Sequence, residues 1–139
     1  MRQQRSGYTL IEILVLVGIL TILFSLGVGS YQSYQKAVQL NEMVEKTAGL
    51  IRDTQEASMT NSQSYLVDYV PASTTFEVRD SSSTLIRTLK LPYGEANNWI
   101  NDIVFLSRGL PQQQYQFNLK NGARTRTVYV LTTGKVIVR

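Results

Sequence analysis

The chain begins with a long apolar stretch. Residues 13–35 carry no charged side chain, and Ile13–Val28 is almost wholly aliphatic. A helix rises about 1.5 Å per residue, so roughly 20 apolar residues cross the hydrocarbon core of a bilayer. Arg2 and Arg5 precede the stretch and a polar sequence follows it. This distribution predicts a single membrane span with the N-terminus in the cytoplasm and the rest of the chain outside.

A second pattern follows, with apolar and small residues recurring every three or four positions as far as about Thr60. This spacing predicts an amphipathic helix that buries one face. The residues of the stripe are Leu40, Val44, Thr47, Ala48, Ile51, Gln55 and Ser58. Most charged residues of the stretch lie off the stripe, so we expect this face to pack on a sheet.

After residue 62 the period shortens to alternating runs that predict about six or seven β-strands. Asn121-Gly122 and Thr133-Gly134 are typical of hairpin turns. The predicted fold is therefore α+β: a long N-terminal α-helix, membrane-spanning in its first half, packed on an antiparallel β-sheet. The expected boundaries are 8–31 for the transmembrane helix, 32–62 for its amphipathic continuation and 63–139 for a β-rich globular domain.

Composition narrows the possible chemistry. The chain has no Cys and no His, which excludes disulfides, thiol nucleophiles, histidine bases and most zinc sites. An enzyme would need a Ser–Lys pair or a carboxylate pair. The residues available for these pairs lie at polar positions typical of a solvated surface: Ser81, Ser82, Ser83 and Lys90, and Asp68 and Glu77. We therefore expect no enzyme activity, no catalytic residue, no metal and no cofactor.

Glu12 stands near the start of the apolar stretch and needs an explanation. A charge at the centre of a span costs about 2.5–3.5 kcal/mol, and less near its end. A plain signal anchor explains the stretch but not Glu12. A cleaved secretory signal needs a small-residue site that "SLGVGSYQSYQ" does not supply. A cut between Gly7 and Tyr8 would create an α-ammonium with which Glu12 of the same or a neighbouring subunit can pair.

The segment "SGYTLIEILVLVGIL" resembles the class III signal of type IV pilins and type II secretion pseudopilins. The resemblance implies that residues 1–7 are a leader that prepilin peptidase removes after Gly7. It also implies N-methylation of Tyr8 and a role for Glu12 in assembly with other pilin or pseudopilin subunits. The first mature residue of the family is usually Phe, so Tyr8 is a departure from the pattern.

Three further segments resemble GspH/FimT-like minor pilins, although hairpins of this kind are common: "LIRDTQEASMTNSQSYLVDY", "IVFLSRGLP" and "TRTVYVLTTGKVIVR". The resemblance implies a minor pilin or pseudopilin, a structural subunit of a type IV pilus, a competence pilus or a type II secretion pseudopilus. Such a subunit is first a single-pass protein of the cytoplasmic membrane with an extracytoplasmic C-terminal domain. It then joins a filament in the periplasm or at the cell surface.

Two alternatives remain open. No acidic residue follows Asp102, and a basic cluster in this region would bind nucleic-acid phosphates without reading sequence. Its predicted members are Arg124, Arg126, Lys135 and Arg139. Because some FimT-like minor pilins take up DNA, DNA is an alternative partner, although bases on edge strands also serve solubility alone. The other alternative is an anchored extracytoplasmic sensor or enzyme domain in which Glu12 has no role.

Overall fold

The structure, a computed structural model, describes residues 8–139, without the side chains of residues 26–28. It divides into two compact units, one ending at Gln35 and the other comprising Lys36–Arg139. Helix α1 (Leu10–Thr60) begins in the first unit and ends in the second. The predicted leader, including Arg2, Arg5 and Gly7, lies outside the described residues.

In the first unit, α1 leaves its apolar side chains uncovered. The large side chains between Leu10 and Phe24 are all exposed. By length and composition this part of α1 is apolar enough to cross a membrane. Water solvates such a surface poorly, so it needs lipid or other helices around it.

The second unit contains eight strands among the described residues. They are β1 (Tyr65–Val70), β2 (Thr75–Asp80), β3 (Leu85–Lys90), β4 (Glu95–Asn97), β5 (Ile103–Phe105), β6 (Tyr115–Asn121), β7 (Arg124–Val130) and β8 (Val136–Val138). They form two four-stranded antiparallel sheets, in the orders β3-β2-β1-β5 and β4-β6-β7-β8. The predicted α+β fold, a long helix packed on antiparallel strands, is confirmed, but the strands number eight rather than six or seven and form two sheets rather than one. The missed strand, β4, is three residues long and lies in a stretch of Pro, Gly and Asn that is typical of a loop.

The predicted stripe of α1 faces the core. Leu40, Val44, Ala48 and Ile51 are buried, as are the smaller polar residues Thr47, Thr54 and Ser58. Two of these hydroxyls donate hydrogen bonds to carbonyls of the helix itself, Thr54 Oγ1 to Leu50 at 2.7 Å and Ser58 Oγ to Gln55 at 2.6 Å. The helix can therefore bury polar side chains against the sheets without leaving these two hydroxyls unpaired.

An aromatic cluster joins the two sheets. Phe76 of β2 and Phe117 of β6 lie 5.9 Å apart between ring centroids, and Trp99 lies 5.3 Å from the first and 4.9 Å from the second. The Tyr69 hydroxyl accepts a hydrogen bond from the Ala96 amide at 3.1 Å, which ties β1 to β4. The edge-to-face packing of these rings and this hydrogen bond together fix the position of one sheet relative to the other.

The predicted hairpin turns are present. Asn121 pairs with Arg124 at the β6–β7 turn, where Gly122 has a φ of 62°. The side-chain amide Nδ2 of Asn121 donates to the Lys36 carbonyl at 3.4 Å and to Gln39 Oε1 at 3.1 Å. These bonds hold the tip of the β6–β7 hairpin against the first turns of α1 within the second unit.

Candidate functional site

The start of α1 places Glu12 in a capping box. The Glu12 carboxylate accepts hydrogen bonds from the Thr9 amide at 3.0 Å and the Thr9 hydroxyl at 3.1 Å. In return, Thr9 Oγ1 accepts from the Glu12 amide at 3.3 Å. A Thr followed three residues later by Glu is the sequence signal of this motif, and it was present in "TLIE".

The capping box gives Glu12 a local partner that the sequence analysis did not assign. It satisfies amides that the first turn of a helix leaves unpaired. The carboxylate is nevertheless held among exposed apolar side chains, Leu10 and Ile11 before it and Ile13 after it. Both Glu12 and Tyr8, the residue that would become the new N-terminus, are exposed, so a neighbouring subunit can reach them.

The structure gathers three of the four predicted basic residues around one pocket. Arg124, Arg126 and Arg139 line a pocket of about 290 Å³ together with Thr125 and the α1 residues Ala37, Leu40 and Asn41. Its lining contains no acidic side chain. The pocket is therefore an anion-attracting concavity on the side of α1 that faces the β6–β7 hairpin.

The position of Arg124 and Arg126 follows from strand alternation. They share a face of β7 with Val128 and Val130, which are fully buried against the core. At the hairpin end of β7 this face extends past the apolar core, and both arginines are exposed. Strand alternation puts the two arginines on one face, and that face is the one directed toward α1.

Lys135 lies apart from this pocket. Lys135 follows Gly134, which approaches the Gln55 side chain of α1. Arg139, in contrast, pairs with Thr127 and lies beside Ala37. On α1, Ala37 and Gln55 are separated by five turns, about 27 Å. On the edge strand β8, Val136 is buried whereas Val138 is exposed.

A second group of titratable side chains lies on the sheet of β1 and β5. Asp68 is opposite Glu77 of β2, and Asp102 directly precedes Ile103, which pairs with Val67. Burial raises the pKa of the Asp102 carboxyl, and the neighbouring Asp68 raises it further, against a smaller opposing effect of Trp99. Glu77 is neutralised by Arg79, with Nη2 and Oε2 2.6 Å apart. Among the described residues, no group of acidic side chains is suited to holding a metal ion.

We expect Asp102→Asn to raise the melting temperature at neutral pH. A carboxyl whose pKa is raised on folding contributes stability below its unfolded value, near 3.8, and loses that contribution as pH rises through the folded value. The gain from Asp102→Asn should therefore grow with pH and vanish in acid, as measured by thermal unfolding across pH.

Asp68→Asn is the matched control for this pair. Removing either charge relieves the same repulsion, so the double variant should gain little beyond either single one. A gain that is independent of pH would instead assign the effect of Asp102→Asn to packing.

The residues considered for catalysis do not form a site together. Ser81, Ser82 and Ser83 lie in the β2–β3 turn, whereas Lys90 is at the other end of β3, opposite Thr75. Asp68 and Glu77 are cross-strand neighbours, but Arg79 holds Glu77 in an ion pair. The arrangement offers charged surfaces and an apolar helix rather than a nucleophile beside a base.

Sequence comparisons connect the chain to proteins of bacterial pili. No family model matches it. It is 42% identical over 42 residues to prepilin peptidase-dependent protein D of Escherichia coli (strain K12), covering 30% of this chain and 29% of that protein. It is 27% identical over 82 residues to a fimbrial protein of Pseudomonas aeruginosa, covering 59% of this chain and 53% of that protein. The chain thus aligns with about half or less of these relatives.

Structural comparison identifies the fold. The minor pilin FimU of Pseudomonas aeruginosa (strain PAO1) superposes with a TM-score of 0.64 at 8% sequence identity, covering 76% of this chain and 92% of that chain. A second crystal form of FimU gives a TM-score of 0.58 at 7% identity. At such low identity the likeness shows the fold: one N-terminal helix packed on antiparallel sheets.

Proposed function

We propose that this chain, a type IV pilin-like protein by its fold and its N-terminal sequence, is a minor pilin or pseudopilin. It serves as a non-enzymatic structural subunit of a type IV pilus, a competence pilus or a type II secretion pseudopilus. Before assembly it is held in the cytoplasmic membrane by a single span with its globular domain outside. The observation that carries the proposal is the uncovered apolar face of α1 with Glu12 capped at its start.

The apolar surface of the first unit must be covered by something other than water. The exposed aliphatic side chains require lipid or neighbouring helices around them. In the membrane, lipid covers them. In a filament built from such helices, neighbouring helices cover them once the subunit has left the lipid. Glu12 is then moved out of lipid into a bundle, where a neighbour's ammonium group on Tyr8 would neutralise it. Subunits packed this way acquire an axial stagger, because each carboxylate must meet the N-terminus of the next helix.

The proposal predicts processing by prepilin peptidase between Gly7 and Tyr8. Intact-mass analysis of the protein extracted from membranes should show the loss of residues 1–7 and the gain of one methyl group on Tyr8. The control is the same protein expressed without the peptidase, which should keep its leader. A mature protein that starts beyond residue 26 would identify an ordinary secretory signal and contradict the proposal.

DNA capture by a minor pilin is the second candidate function. The observation in its favour is the convergence of Arg124, Arg126 and Arg139 on one pocket without an acidic side chain. Lys135, at the far end of β8, does not add to that pocket. Three phosphate contacts would give a slope of about −2.7 for the logarithm of the binding constant against the logarithm of salt on duplex DNA.

A further inference from the structure

Five bases of the second unit lie around the tip of the β6–β7 hairpin. Besides the three arginines of the pocket, they include Lys36, whose side chain lies beside Gly122, and Lys120, which precedes the hairpin turn. Glu95 of strand β4 is an acidic residue in this region, and it lies opposite Lys120 of β6. We call this group of five bases the hairpin-tip surface: Lys36, Lys120, Arg124, Arg126 and Arg139.

A groove near the last turns of α1 differs in charge from the pocket. This groove of about 430 Å³, between the last turns of α1 and strand β3, is lined by Asp53 and Glu56 as well as Arg87. Asp53 Oδ2 and Arg87 Nη1 are 2.7 Å apart, which leaves that groove acidic overall. The linings of the pocket and of this groove therefore differ in charge, whereas the bases Arg108 and Lys135 also lie toward the last turns of α1.

Lys36 and Ala37 follow the apolar stretch closely in the sequence. Tyr31 and Tyr34 are exposed, and tyrosines that follow an apolar span are typical of the membrane–water interface. Consecutive Cα atoms are 3.8 Å apart, so Ala37, in the pocket lining, lies within about 11 Å of Tyr34 by chain length alone. The polar headgroup layer is itself roughly 5–7 Å thick on each side of a bilayer.

We infer that the hairpin-tip surface binds the phosphates of anionic lipid headgroups while the subunit is anchored in the membrane. Arg124 and Arg126, on the helix-facing side of β7, carry guanidinium groups, which suit phosphate oxygens geometrically as well as electrically. This inference rests on the membrane anchoring in the proposed function. The globular domain is then docked on the membrane before assembly and is released when the subunit is extracted.

The location of the hairpin-tip surface favours lipid over DNA as the source of phosphate. The chain tethers the hairpin-tip surface within the reach of the headgroup layer, where the local concentration of anionic phosphate is high. A nucleic acid arriving from outside would have to enter that layer and displace the lipid. Anionic lipid and DNA both present phosphate groups, but different competitors displace them from the surface.

Fluorescence energy transfer in nanodiscs tests the inference on the full chain. Because the chain has no Cys, Ala123→Cys places a single donor dye at the exposed turn between β6 and β7, and a headgroup-labelled lipid serves as the acceptor. Transfer should be high in nanodiscs of phosphatidylglycerol mixed with phosphatidylcholine, low in phosphatidylcholine alone, and reduced by salt. A dye on Ser82→Cys, in the β2–β3 turn at the other end, should show little dependence on lipid charge.

Charge variants identify the residues involved. Each base near an anionic surface is worth about a fivefold change in equilibrium. Arg124→Gln with Arg126→Gln should therefore lower the docked-to-undocked ratio by about 25-fold. The matched control is Arg108→Gln with Lys135→Gln, which removes the same charge away from the surface and should leave the ratio unchanged. Arg124→Lys with Arg126→Lys should restore most of the docking, which separates loss of charge from misfolding.

The remaining outcomes are decisive. A chain that does not enter nanodiscs overturns both this inference and the proposed anchoring. A chain that inserts but shows equal transfer in anionic and neutral nanodiscs overturns this inference alone, as does an equal loss in the matched control. If duplex DNA binds the neutral-nanodisc protein through Arg124 and Arg126 while lipid charge has no effect, the surface is a nucleic-acid site instead.

Discussion

Replacing Glu12 by alanine is expected to lower the recovery of the subunit in sheared filaments at least about tenfold, with membrane insertion unchanged or improved. Removing the carboxylate takes an ion out of the span, which favours insertion. In the filament, however, it leaves the neighbour's N-terminal ammonium without a partner, and an unpaired buried charge costs about 3–5 kcal/mol. Quantitative immunoblotting of filament and membrane fractions measures both effects.

The capping box dictates the controls for this experiment. Glu12→Gln keeps a side chain that can accept from the Thr9 amide, as Gln does in capping boxes, but removes the charge. Thr9→Ala removes the hydroxyl that bonds the Glu12 carboxylate and amide, but keeps the charge. If the ion pair matters, Gln should be as defective as Ala and Thr9→Ala should be nearly normal.

The opposite ranking would change the interpretation of Glu12. Normal filaments with Glu12→Gln, together with a defect in Thr9→Ala, would mean that the residue acts by starting the helix. Loss of an N-cap costs about 0.5–2 kcal/mol, which is enough to fray the first turn. The assembly role proposed for Glu12 would then be lost.

The second large effect is expected at Gly94. Its φ is +80°, and a Cβ there would overlap the carbonyl oxygen of Lys120 on the neighbouring strand β6. Left-handed backbone costs a residue with a Cβ about 1–2 kcal/mol, and overpacking adds about 1–3 kcal/mol. Gly94→Ala should therefore lower the free energy of unfolding of the second unit by about 3 kcal/mol.

Gly122→Ala is the matched control, because it has the same handedness without the overlap. Its φ is +62°, and a Cβ there would meet only the flexible Lys36 side chain at 3.6 Å or more. We expect it to lower the free energy of unfolding by about 1 kcal/mol. Trp99, the single Trp of the chain, packs on Phe117, so its fluorescence during urea unfolding reports on this unit. Equal losses for the two variants would show that β4 moves aside to accept a Cβ.

Several features followed from the sequence by itself. The period of three to four predicted the buried stripe of α1, including Thr47 and Ser58, because a helix that packs on a sheet repeats its contacts at that spacing. The end of α1 at Thr60 and both hairpin turns are likewise confirmed, since these are local choices of backbone. The resemblance to type IV pilin-like proteins is confirmed, because the sequence relatives are a prepilin peptidase-dependent protein and a fimbrial protein and a minor pilin shares the fold. The cleavage site and the role of Glu12 stay predictions.

Tertiary structure decided what depends on residues that are distant in sequence. Alternation along a strand predicts two faces but not which neighbours it joins, so the division into two sheets and the pairing of the short β4 with β6 could not be read from it. The same limit applies to the basic residues. Arg124 and Arg126 meet Ala37 and Arg139 because the hairpin folds back on α1, whereas Lys135, four residues from Arg139 in sequence, is carried to the other end of β8. The sequence determined which charges the tail contains, and the antiparallel packing decided which of them line one pocket.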